Sequence, residues 1–99
     1  MIINSKYVSG SILNEEYTLN VDKLVNIISN LKWNYYEQYH QEPRFIKMPI
    51  WVYVLLQQFT RQINGFYERI ENGETIPMYM GLQICDTISI SKIEDIEVF

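Results

Sequence analysis

"FTRQINGFYERIENGETI", residues 59–76, admits two folds. Read together with the residues before it, the stretch continues a helical stripe: Val52, Leu56, Phe59, Ile63, Phe66 and Ile70 recur at alternating separations of four and three. Gln57, Gln58, Arg61, Glu68 and Glu71 fall opposite. This spacing predicts one helix over residues 50–71, about 33 Å long at about 1.5 Å per residue, with Asn72-Gly73 as its C-cap. The competing reading stops the helix at Asn64-Gly65 and starts a hairpin that turns at Asn72-Gly73. Because the apolar period runs unbroken past Gly65, the long helix is the expectation carried forward.

Upstream of it, Pro49 suits the first position of that helix, where a missing N–H costs nothing. "RFIKM", residues 44–48, alternates side chains and predicts a short strand. Pro43 ends the preceding element, since a residue before proline is pushed out of the α region. That element is a helix over residues 21–41: Val21, Leu24, Ile28, Leu31, Tyr35 and Tyr39 form one stripe, Asn20 is the N-cap, and Asp22 lies in the first turn. "EEYTL" reads as a short strand. The start of the chain reads as a strand through Ile2, Ile3, Tyr7 and Val8 that turns at Ser9-Gly10-Ser11. Downstream, Ile84, Ile88, Ile90, Ile96 and Val98 predict two or three strands, broken near Asp86 and near Ser91-Lys92.

The order of elements predicts an α+β fold, with two helices packed on one face of a small antiparallel or mixed sheet. That sheet is built from the N-terminal, 44–48 and C-terminal segments, and residues 1–99 form a single domain. Core positions are expected at Leu24, Ile28, Leu31, Tyr35, Leu56, Phe59, Ile63 and Ile84.

Composition narrows the function. The 99 residues are 47% hydrophobic, 14% aromatic and 20% charged, as in a globular chain. The net charge of −4 falls in the second half, where residues 50–99 carry three Lys/Arg against seven Asp/Glu. With no basic cluster, duplex nucleic-acid binding is not expected. An acidic face suits solubility, or docking on a basic partner. One cysteine allows no internal disulfide and no CxxC metal cluster. No secretory signal is apparent, and the apolar run "MPIWVYVLL" is too short to span a membrane, so a cytoplasmic setting is expected.

Chemistry-bearing residues are sparse. A zinc site needs three or four ligands, and His40 and Cys85 are single. A nucleophilic pair of Cys85 and His40 is the alternative that would make the protein an enzyme or a small-ligand binder. The glycines form no phosphate loop, and no cofactor is implied. Glu94, Asp95 and Glu97 read as a solvated edge that discourages sheet-to-sheet pairing.

The distinctive feature is "LKWNYYEQYH", residues 31–40. On the helix, Trp33, Tyr36 and His40 fall within about 60° of one another, off the core stripe. Rings there can be covered by a neighbouring segment, line a small-ligand cleft, stack on bases, or anchor a protein contact. Base stacking needs a positive groove, and only Lys32 is near. Trp51 lies off the main stripe of the second helix, in a turn that is apolar all round. These features predict a non-enzymatic interaction module, a homodimer through Trp33, Tyr36, His40 and Trp51. In its size and abundance of isoleucine and asparagine, the chain resembles small accessory proteins of bacteriophages or prophages of AT-rich bacteria. The resemblance rests on no motif; it implies binding of a host protein or, alternatively, a role in assembling a phage particle.

Overall fold

A computed structural model describes residues 7–99. The chain begins with a hairpin of β1 (Tyr7–Ile12) and β2 (Glu15–Asn20); the expected strand start at Ile2 and Ile3 lies outside the described residues. The turn is not at Ser9-Gly10-Ser11. It lies at Leu13 and Asn14, whose φ of 51° and 67° are the left-handed values that a two-residue hairpin turn requires. Gly10 serves another purpose. A Cβ there would stand 2.7 Å from Gln58 Oε1 and 2.9 Å from Leu55 Cδ2, so glycine lets the hairpin lie close on the second helix.

Helix α1 (Val21–Tyr39) follows without a loop. The Asn20 side chain accepts from the Lys23 backbone N–H at 3.1 Å, as expected of its N-cap. His40 ends the helix in the left-handed conformation, its N–H donating to Tyr36 O at 2.8 Å. Leu24 and Ile28 are buried, but Leu31 and Tyr35 are only half-buried and Tyr39 is exposed. The apolar stripe therefore outruns the core, and the C-terminal third of α1 projects past it.

Strand β3 (Phe45–Lys47) leads through Pro49 into α2 (Ile50–Gln58), with Pro49 at the N-cap, one residue earlier than expected. The long helix is not formed. Thr60 Oγ1 donates to the Leu56 and Gln57 carbonyls at 3.2 and 2.8 Å, occupying the helix end. After a turned segment, Gly65 at φ 99° opens β4 (Phe66–Glu71). Asn72 and Gly73 (φ 53° and 79°) then turn the chain into β5 (Glu74–Tyr79) rather than capping a helix. The periodicity misled for a physical reason. Phe66 and Ile70 are four apart, an even separation that also keeps one face of a strand. Phe59, expected in the core, is half-buried at the helix end.

Met80-Gly81, again left-handed at φ 52° and 80°, turns β5 into β6 (Leu82–Asp86). Strand β6 pairs in parallel with β3, with a register irregularity after Ile46 that leaves Cys85 as the extra residue. The predicted break near Asp86 is real, but no strand forms over residues 88–90. Asp86 folds that segment into a turn, accepting from the Ile88 and Ser89 N–H groups at 3.0 and 3.2 Å and from Ser89 Oγ at 2.6 Å. These bonds hold the Asp86 carboxyl below the usual aspartate range. Ile88 is exposed. A 3-10 turn (Ile93–Asp95) precedes β7 (Glu97–Val98), which pairs antiparallel with β3.

The result is a small α+β fold with two helices packed against a mixed, mainly antiparallel sheet in the order β4-β5-β6-β3-β7. Contrary to expectation, the N-terminal hairpin does not join that sheet but forms a second one of its own. Its Val8 and Leu19 enter the same core as Leu24, Ile28, Ile46, Val52, Leu55, Leu56, Ile63, Tyr79 and Ile84. Glu97 lies in the edge strand β7, where charge opposes further pairing.

Candidate interaction surface

The projecting end of α1 carries the rings. Trp33 is 61% exposed and Tyr36 45%, with their centroids 6.3 Å apart and planes tilted by 31°. Being one turn apart, they share a face, as the wheel predicts. His40 is exposed at the helix end beside them. Around the helix, Tyr35 and Tyr39 form a second tilted pair at 4.6 Å, with Tyr39 53% exposed. The spacing places both on the apolar stripe and predicts Tyr35 in the core, where it is only half-buried. A periodicity tells which face a residue occupies but not where along the axis the core ends.

Trp33 and Tyr36 form one wall of an open groove of about 490 Å³, with Pro43 and Met80 as its other apolar lining and Ser29, Lys32 and Glu42 as its polar groups. Lys32 is half-buried, and its Nζ donates to Met80 O at 2.8 Å. That bond fastens the β5–β6 turn to α1 and commits Lys32, the only lysine among the described residues that line the groove, to a backbone carbonyl. A groove of this kind offers apolar contact with little positive charge, which suits protein more than nucleic acid.

Trp51 lies elsewhere. It is half-buried, stacked on Tyr17 at 5.3 Å with a 13° interplanar angle, and its Nε1 donates to Ser91 O at 2.9 Å. The N-terminal hairpin and the segment after Asp86 cover the apolar turn of α2, so Trp51 is engaged within the chain. Tyr17 in turn donates to Glu15 Oε2 at 2.8 Å, and that bond raises its pKa.

Cys85 is exposed, and its Sγ donates to Ile46 O at 3.6 Å. Burial and the neighbouring Asp86 push its pKa up, the direction opposite to that of a nucleophilic thiol. Cys85 sits on β6, whereas His40 caps α1, and the thiol donates to a backbone carbonyl. Among the described residues no group of three or more His, Cys, Asp or Glu side chains is placed to hold a metal ion, and no helix is long and apolar enough to cross a membrane. No family model matches the sequence, and no curated protein or solved structure is significantly similar to it.

Proposed function

We propose that this protein is a non-enzymatic interaction module that self-associates as a twofold dimer through the aromatic face of α1. The observation that carries the reading is the exposure of Trp33 and Tyr36 on α1, where they line an open groove together with Pro43 and Met80. An isologous contact needs a protrusion and its receptacle on one patch, since each copy presents both. Trp33 supplies the protrusion and the groove the receptacle. Tryptophan and tyrosine are favoured anchors because they bury a large area with few rotatable bonds. The non-enzymatic part of the reading is supported by the Cys85 thiol, which is held to a carbonyl with its pKa raised.

Sedimentation equilibrium tests the proposal, run on the parent and on a Trp33→Ala, Tyr36→Ala double variant. The parent should sediment above its monomer mass of 11.9 kDa at micromolar concentration. The double variant should lose about 2 kcal/mol or more of association energy, roughly thirtyfold in Kd. A parent that stays monomeric, or a dimer indifferent to both substitutions, overturns the reading. In the monomeric case the same rings would be left to contact a different protein, such as a host protein.

A further inference from the structure

Strand β4 ends the sheet on the side away from β7, and no described strand pairs with its outer edge. The direction of its backbone groups follows from the register. Glu71 and Glu74 flank a two-residue turn and so form a hydrogen-bonded pair. Alternation then makes Arg69↔Ile76 and Tyr67↔Met78 the next bonded pairs, consistent with the Met80 N–H donating to Gly65 O at 2.9 Å beyond them. The N–H and C=O groups of Phe66, Glu68 and Ile70 therefore point outward.

The Phe66 and Tyr79 side chains anchor the base of the ribbon in the core, Phe66 against Tyr53, and beyond them the ribbon stands clear of its neighbours. Tyr79↔Leu82 is the bonded pair flanking the next turn, so the following donor toward β6 would come from residue 77. That residue is proline, and pairing of β5 with β6 ends at Met78↔Gln83. From Tyr67 onward β4 is exposed on both faces, including Ile70 at 77% and Tyr67 at 48%.

We propose that the outer edge of β4 receives an extended, lysine- or arginine-bearing segment of a partner protein by strand addition. Main-chain hydrogen bonds to Phe66, Glu68 and Ile70 would supply the attachment, and charge would select the occupant. Glu68, Glu71 and Glu74 crowd this ribbon against the single Arg69, which is already paired with Glu71 at 3.3 Å. A second copy fits poorly. The twofold registers that use most of the edge set Glu68 opposite Glu68 or Arg69 opposite Arg69, and like charges directly opposed disfavour pairing. A basic strand meets no such conflict.

The test is an amide NMR titration of the full chain with two hexapeptides, one alternating lysine and valine, the other glutamate and valine. The lysine peptide should shift the Phe66, Glu68 and Ile70 amides and slow their exchange; the glutamate peptide should not. Glu68→Pro removes one outward donor while sparing the bonds to β5, a position where edge strands tolerate proline. It should weaken lysine-peptide binding at least tenfold. Glu68→Lys combined with Glu74→Lys keeps every donor and should transfer the preference to the glutamate peptide, which secures the test if Glu68→Pro fails to fold. Silence of these amides at millimolar peptide overturns the proposal. So do equal responses to both peptides, or edge shifts that grow with protein concentration alone.

Discussion

Replacing Tyr79 by phenylalanine should make the protein more stable. The Tyr79 side chain is fully buried at the end of β5, and its hydroxyl makes no hydrogen bond to any described residue. A buried hydroxyl without a partner costs about 1–3 kcal/mol relative to its hydrated state. Tyr79→Phe removes that cost while keeping the ring, less the small contact surface of one oxygen. A net gain of about 1–2 kcal/mol is expected. For a chain of this size each kcal/mol corresponds to a rise of about 4–8 °C in Tm. The effect should grow in alkali. Burial pushes the Tyr79 pKa from 10.0 up to about 12. Below pH 10 the group is neutral whether folded or unfolded and contributes no pH dependence. Between about 10 and 12 the unfolded chain releases this proton and the folded chain keeps it, so the parent loses stability, about 3 kcal/mol by the upper value. The variant lacks this loss. Urea denaturation of both proteins at pH 7 and across pH 9–11.5 reads the difference directly, since ionisations common to both cancel. A variant at least 1 kcal/mol less stable than the parent at pH 7, or a gap that does not widen above pH 10, would refute the assignment of an unpartnered hydroxyl.

Gly10→Val should lower the urea midpoint by the equivalent of about 1–3 kcal/mol, because its Cβ meets the buried Leu55 at 2.9 Å, even if the Gln58 side chain swings away. At Gly73 nothing lies within 4 Å of a built Cβ, but φ is 79°, so Gly73→Ala should cost about 1–2 kcal/mol from backbone strain alone. Trp51→Ala should cost about 3 kcal/mol in thermal or chemical denaturation by removing the stack on Tyr17 and the bond to Ser91. Asp86→Ala should speed amide exchange at Ile88 and Ser89 near neutral pH. In the parent the same loosening should appear only as pH falls through the lowered Asp86 pKa, because the charged carboxylate is what those N–H groups bind.

Much of the fold is legible in local sequence, and the failures have identifiable causes. Asn20 and the stripe from Leu24 define α1 because cap and periodicity agree within one segment, but the helix stops at Tyr39, two residues short of the expected end, because His40 in the left-handed conformation and not Pro43 terminates it. Residues 59–76 misled because separations of four satisfy a helix and a strand alike. The decision rests on Gly65 and on Asn72-Gly73, where left-handed backbone is needed. Leu13-Asn14 gives only a weak turn signal because neither residue is glycine, while Gly10 serves a packing role that depends on α2. At the surface, the helical wheel found the shared face of Trp33 and Tyr36. It could not show that α1, about 28 Å long at about 1.5 Å per residue, extends past the core and exposes Tyr39. The covering of Trp51 by Tyr17 and Ser91, and the tie from Lys32 to Met80, join residues 34 to 48 positions apart. No local pattern encodes such contacts. That no described strand pairs with the outer edge of β4 likewise depends on strand order, which follows from how the whole chain packs.

The most direct test of the aromatic face is collisional quenching of Trp33 fluorescence by iodide, measured in a Trp51→Phe variant so that only one indole reports. Phenylalanine at residue 51 keeps a ring against Tyr17, and circular dichroism establishes that the fold is retained. At nanomolar protein, Trp33 should be quenched freely, as its 61% exposure in the isolated chain requires. As concentration rises into the micromolar range, quenching should fall severalfold along the same curve that sedimentation gives for dimerisation. Quenching that stays high at every concentration, while sedimentation reports a dimer, would place the contact elsewhere and contradict dimerisation through the Trp33 face.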